Sequence, residues 1–308
     1  MSTDRRSALA AALVGVLLLA LAFPALRWLI GQWLSNDYYS HGWLVLPVSA
    51  FLAWRQWPRS EHARDGNTSE RERDENTSER ERDENTKGPF ALSPLWPSNA
   101  GLIPLGLGLV GYLAALLNKA YFLAALALIV LLAGLTWFFL GLRALRRLAF
   151  PIGFLVFMVP LPFVERASLP LQLLTGSCST ALARIVGVNA TVHGAQVTLP
   201  SVDLVVGAQC SGLRSIVALF TLVAIFVYVL QGPWWGRLLL VLSAIPVAIL
   251  GNVLRVASLL WVADTWGAGA GMTYYHDYSG LVFFLFAFAL LLLLSRAFRC
   301  REIRADIW

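Results

Sequence analysis

Long apolar runs dominate this chain, and their lengths set the first reading. A spanning helix needs roughly 20 mostly apolar residues. By that measure the sequence predicts about eight spans, at 8–30, 42–57, 100–117, 120–140, 148–164, 211–230, 238–262 and 277–295. The second is short. The first follows Arg5 and Arg6 and contains Ala20-Leu21-Ala22, in the manner of a secretion signal. Its apolar run continues to Ile30, past any such cleavage site, which predicts an uncleaved helix.

Between the runs the pattern changes. Segment 165–187 is too polar and broken to span, and Leu169, Leu173, Leu174, Leu182 and Ile185 predict a helix lying in the membrane interface. The stretch A-T-V-H-G-A-Q-V-T-L-P-S-V-D-L-V-V that follows alternates, with Gly, Pro and Ser at its breaks, and predicts a small β-hairpin. Segment 58–98 carries N-T-S-E-R-E-R-D-E twice in tandem, from Asn67 to Glu84. It is almost wholly polar, cannot bury a core, and reads as a disordered linker with no chemistry of its own. The expected fold class is an all-α polytopic integral membrane protein forming one domain over 1–308, with an interfacial helix and a small hairpin on its outer face.

Composition agrees with that class. The 308 residues are 58% hydrophobic and 14% charged, with a mean hydropathy of +0.66; a soluble domain is nearer half apolar and a quarter charged. The formal charge of +6 does not point to nucleic acid, because the arginines flank the apolar runs. Arg5 and Arg6, Arg55 and Arg59, Arg143, Arg146 and Arg147, Arg237, and the cluster Arg296 to Arg304 all fall on one side of an eight-span chain. The positive-inside rule makes that side cytoplasmic. The outer side then receives 31–41, the 118–119 turn, 165–210 and 263–276. On a cytoplasmic face, the glycosylation patterns at Asn67 and Asn76 are accidental.

Candidate chemistry gathers on the outer side. Three cysteines, Cys178, Cys210 and Cys300, form no disulfide framework. Four histidines, His41, His62, His193 and His276, have no metal-ligand spacing, and no metal or cofactor is expected. Cys210 stands at the start of the sixth span, and Arg255 lies within the seventh, roughly 13 Å from its outer end. His276 opens the eighth. An arginine inside a membrane helix costs about 3 kcal/mol or more on insertion scales, so it marks either function or a tight ion pair; Asp203, Asp264 and Asp277 are the candidate partners. Asn252, three residues before Arg255, is placed to orient it. A helix N-terminus and neighbouring cations, including Arg214 at i+4, are expected to lower the Cys210 thiol pKa. Thiolate, imidazole and guanidinium together suffice for covalent acyl transfer.

At these residues the sequence resembles the exosortase/archaeosortase family. The matching motifs are C-S-G-L-R at Cys210–Arg214, N-V-L-R at Asn252–Arg255 and H-D-Y-S-G at His276–Gly280, joined by D-Y-Y-S-H-G from Asp37 and V-P-L-P at Val159–Pro162. The resemblance implies a membrane cysteine transpeptidase of the bacterial inner membrane, with its site on the periplasmic side. Its substrates would be membrane-anchored proteins with a C-terminal sorting signal: a Pro-Glu-Pro-like motif, a membrane helix and a basic tail. The acceptor would be a lipid- or polysaccharide-linked nucleophile. Carried over, Cys210 is the nucleophile, Arg255 the catalytic arginine and His276 the third member. Arg214, Ser211, Asn252, Asp277, Asp37 and His41 would support the site or contact substrate. The other classes compatible with the sequence are a polytopic transporter, favoured by Pro246 and Gly251 within span seven, and a non-catalytic assembly protein for exopolysaccharide export.

Overall fold

The computed structural model describes residues 3–57, 99–200, 203–207, 210–267, 269 and 275–304, without the side chains of 3–14, 18, 276 and 277. The linker 58–98 and most of the loop after 267 lie outside the described residues.

The chain is a multi-pass helical membrane protein. Among the described residues, five segments are long and apolar enough to cross a bilayer: Gly15–Ser35, Asn99–Leu117, Tyr121–Met158, Trp234–Trp266 and Tyr278–Ala297. Their apolar side chains point outward as well as inward. Ile103, Leu107 and Val110 are each 67% exposed, a surface suited to lipid rather than water. In chain order the long helices are α1 (Thr3–Ser35), α2 (Gly42–Gln56), α3 (Leu102–Leu117) and α4 (Tyr121–Phe154). After the short α5 (Pro162–Arg166) come α6 (Ser168–Ile185), α7 (Leu213–Val229), α8 (Trp234–Trp266) and α9 (His276–Ala297).

The expected count of eight spans is not reached by length and apolarity. Helix α2 has 15 residues and α7 has 17. Element α4 is two helices that meet at Gly141, with φ 80 and ψ 170, at the end of the expected fourth span. Glycine adopts that conformation without a Cβ penalty. Arg143, Arg146 and Arg147 lie just after the break, in the second part. That second part is α-helical only to Phe154 and continues as a 3-10 turn, Leu155–Met158. It stops at V-P-L-P, where Pro160 and Pro162 have no N–H to continue the ladder.

Two compact units make up the chain. In the one covering Leu46–Val156, α3 and α4 form a hairpin across Asn118 and Lys119. A Cβ on Gly108 would stand 2.7 Å from the Leu131 nitrogen, so the glycine lets the two backbones close up. Small residues serve this purpose in membranes, where burial alone does not draw helices together.

The other unit, Met1–Val45 with Phe157–Ala305, carries the candidate chemistry. Its axis is α8, which packs against α6, α7 and α9. Leu219 and Val223 of α7, Leu240 and Ala248 of α8, and Ala287 and Leu291 of α9 share one buried cluster. Helix α8 has 33 residues. At 1.5 Å per residue it is about 50 Å long, more than the roughly 30 Å of hydrocarbon in a bilayer. Exposed tryptophans mark both ends, Trp234 and Trp235 at one and Trp261 and Trp266 at the other. Such rings sit at headgroup level.

The segment expected to lie in the interface is helical, as α6. Its small residues Thr175, Gly176, Ser179, Thr180 and Ala183 are buried. Leu169, Leu173, Leu174 and Ile185 are exposed. The expected hairpin gains a third strand. Strands β1 (Thr191–His193), β2 (Gln196–Thr198) and β3 (Asp203–Val205) pair antiparallel in that order. Gly194, at φ 65, makes the first turn. Val197 and Leu204 pack with Ala183, Leu260 and Ala263, which ties the sheet to α6 and to the end of α8. A second small sheet, not expected from the sequence, pairs β4 (Leu230–Gln231) with β5 (Glu302–Ile303). It folds the C-terminal segment back on the end of α7 and buries Cys300.

Candidate active site

Cys210 sits where the sheet hands over to α7. It packs on the apolar cluster of Val197, Leu204 and Leu260 and is half-buried. Its N–H donates to the Gly207 carbonyl at 2.9 Å. The helix itself begins later, at Leu213, with Gly212 as N-cap in the left-handed region at φ 76. Cys210 is thus two residues before the cap, not on the first turn. The left-handed residue also breaks the helical phase between Cys210 and Arg214, so their expected i,i+4 relation does not hold. Ser211 is buried, and its Oγ accepts from the Leu213 N–H at 3.3 Å, closing the turn.

This placement corrects the expectation of a simply activated thiol. Burial pushes the Cys210 pKa up, and the charge of Arg255 pulls it back down. Burial is the larger effect, because the thiol rests on the apolar cluster. The cation that matters is Arg255, reaching across from another helix, and not Arg214.

Arg255 lies on α8, six residues before Trp261, or about 9 Å along the axis. Its Nε donates to Ser279 Oγ on α9 at 3.2 Å, and Ser279 is buried. A Cβ on Gly280 would lie 3.7 Å from the guanidinium carbon, so α9 presents a bare backbone to the arginine. One turn further along α8, Ser258 Oγ donates to the Arg255 carbonyl at 2.8 Å and accepts from the Tyr275 hydroxyl at 2.8 Å. Asn252 does not orient Arg255 by a hydrogen bond, as its i,i+3 spacing had implied. Its Nδ2 donates instead to the Cys210 carbonyl at 2.8 Å and to Thr175 Oγ1 of α6 at 3.2 Å.

His276 is the first residue of α9, three and four residues before the Ser279 and Gly280 that meet Arg255. The side chains of His276 and Asp277 lie outside the described residues. The backbone therefore brings the expected third member to the helix end that holds the arginine.

A cavity of about 680 Å3 opens beside Arg255. Arg214 and Ser215 of α7, Arg255 of α8 and Gly280 of α9 form part of its wall. The 3-10 turn Asp37–Tyr39 closes it with Asp37, Tyr38 and His41, and Leu44, Leu281 and Phe284 add an apolar side. Ligand pockets commonly fall in this size range. Arg214 and Asp37 are exposed. His41 is held more firmly: its Nε2 lies 3.2 Å from the Phe157 carbonyl and 3.4 Å from Thr221 Oγ1, and its ring stacks on Tyr39. Burial lowers the His41 pKa, backbone bonds to Phe157 and Tyr38 oppose that, and the Arg214 charge adds to the lowering. Held in this way, His41 forms part of the cavity wall.

The sequence reading did not single out Ser279, Thr175 or Tyr38. Ser279 was within reach of it, as a lone hydroxyl one turn past His276 on an apolar helix. Tyr38 donates to or accepts from Ser168 Oγ at 3.1 Å, which anchors the 3-10 turn to α6, and no local pattern announces such a contact.

The described residues form a multi-pass bundle in which Cys210 and Arg255 stand on neighbouring elements and Arg255 lines the large cavity. The family model for transmembrane exosortases matches residues 33–293, and the chain belongs to that family. No curated protein and no solved structure matches it.

Proposed function

We propose that the protein is a cysteine transpeptidase of the bacterial inner membrane that cleaves a C-terminal sorting signal at the outer face and passes the protein to an acceptor. The observation that carries this reading is the tie between Cys210 and α8: Asn252, three residues before Arg255, donates to the Cys210 carbonyl at 2.8 Å. Family membership supports it. In the reaction the Cys210 thiolate attacks the scissile carbonyl and forms a C–S bond. Arg255 stabilises the oxyanion, a contact worth roughly 3 kcal/mol in known sites. The C–N bond then breaks, and His276 gives its proton to the leaving amine, which stays on the substrate's tail helix. A second nucleophile attacks the thioester, His276 takes the proton of that nucleophile, and the thiolate is restored. The cavity beside Arg255 and Arg214 would receive the sorting motif, with the tail helix lying in the bilayer.

A transporter would more naturally carry its polar groups on interrupted helices near the midplane. Helix α8 instead runs from Trp234 to Trp266 through Pro246 and Gly251, which weighs against that class. The test is chemical. Membranes turning over a tail-bearing substrate are quenched in acid, and the Cys210 peptide is analysed by mass spectrometry. A substrate acyl group on Cys210, released by neutral hydroxylamine, is expected. Substrate turnover with no acyl group on that peptide, or with one on Cys178, would move or remove the nucleophile.

The proposed orientation has its own check. With both termini cytoplasmic, Ser35→Cys and Ala268→Cys are expected to react with a membrane-impermeant maleimide in intact spheroplasts, and Ser78→Cys is not. Labelling confined to Ser78→Cys would invert the topology and place the site on the wrong side for an exported substrate.

A further inference from the structure

Asn252 makes bonds that no role for it on α8 alone requires. It is 4% exposed. One end of its amide donates across the bundle to the Cys210 carbonyl and to Thr175 of α6. Its other end, Oδ1, is buried and has no hydrogen-bond partner among the described residues. Backbone packing against it is tight: a Cβ on Gly212 would lie 2.8 Å from the Asn252 Cγ, with Gly212 already at φ 76. The turn that follows the cysteine is therefore shaped around this side chain. Asn252 also lines a cavity of about 10 Å3 with Ser215, Arg255 and Gly280. That is about the room one water needs, and these walls supply polar partners for it. A buried amide oxygen without a donor is destabilising, so its retention at this point calls for a reason.

We propose that Asn252 is a positioning residue that couples Cys210 to Arg255: its Nδ2 pins the cysteine backbone to α8, and its Oδ1 takes one water that also accepts a hydrogen bond from the guanidinium. The thiol is thereby held where the arginine's charge acts on it. This deepens the acyl-transfer reading of the site and rests on that reading for its purpose. Arg255 is the charge that acts on the thiol. Of the other titratable groups, Arg214, Asp37 and His41 line the large cavity.

The experiment follows the alkylation rate of Cys210 by iodoacetamide against pH, in membranes of a Cys178→Ala, Cys300→Ala background matched for abundance. Asn252→Leu is expected to slow alkylation near neutral pH by about fivefold, the scale of one lost hydrogen bond, and to move the pH midpoint upward. Gly212→Ala is expected to do the same with both Asn252 and Cys210 kept in the chain, because its new methyl must displace the Asn252 amide. In an Arg255→Gln background, Asn252→Leu is expected to leave the midpoint where Arg255→Gln has already put it, as coupled residues do in a double-mutant cycle. Equal midpoint shifts in both backgrounds, or none in either, would reduce Asn252 to a packing residue. Thr175→Val keeps the Cys210 bond and guards against misfolding of the stronger variants; a shift from it as large as that from Asn252→Leu would overturn the proposal. Alkylation does not need the proposed reaction. A positive cycle with substrate processing intact in Cys210→Ala would keep the positioning role and discard the transpeptidase.

Discussion

Cys210→Ala is expected to abolish processing of a tail-bearing substrate at normal membrane abundance, a loss of at least about a thousandfold, as for nucleophiles that act as one unit with their partners. Neither remaining thiol has the setting to replace it. Cys178 is exposed on α6, and Cys300 is buried where a Cβ on Gly232 would touch its sulfur. Cys178→Ala and Cys300→Ala are accordingly expected to process normally. Cys210→Ser should be nearly as inactive as Cys210→Ala. A hydroxyl stays protonated in this apolar setting, whereas a thiol can ionise beside Arg255. The assay is the gel shift of the substrate as its tail is lost. Full processing by Cys210→Ala would end the acyl-transfer reading and leave the transporter or assembly classes. Failure of Cys178→Ala with success of Cys210→Ala would move the nucleophile to α6.

The identity of these residues was legible in the sequence, and their connections were not. An arginine in a long apolar run announces itself by its cost, and Cys210 and His276 stand at the ends of such runs. The membrane class was equally plain, because it depends on composition and run length alone. The break at Gly141 falls where the arginines that follow it already divide the fourth and fifth expected spans. A single residue escapes that kind of reading at Gly212. Read as helix, C-S-G-L-R puts Arg214 over Cys210; with Gly212 left-handed, Arg214 turns to the large cavity. On α6 the leucines read as an interface face are exposed, while Thr175 and Ser179 pack inside, as small residues do between membrane helices. Asn252 and Ser279 needed three dimensions, since their partners lie 42 and 24 residues away.

Arg255→Lys and Arg255→Gln are both expected to lose processing, by about 100-fold or more, and to differ in what they do to the thiol. Lysine retains the charge, so the pH midpoint for Cys210 alkylation should stay close to that of the parent. Glutamine removes it. The pull that opposes burial is then gone, and the midpoint should rise, because a thiolate without its cation is harder to form. The common loss of processing has another cause. Arg255 donates from Nε to Ser279, which fixes the plane of the guanidinium, and a planar fork suits an oxyanion. An ammonium is a point charge with a shorter reach and cannot place two donors on one oxyanion. Ser279→Ala should accordingly cost less than either arginine variant, since it frees the plane without removing the fork. Wild-type processing by Arg255→Lys would show that charge alone is enough and would leave the oxyanion role without a basis. An unmoved midpoint in Arg255→Gln would cut the link between guanidinium and thiol on which the site is built.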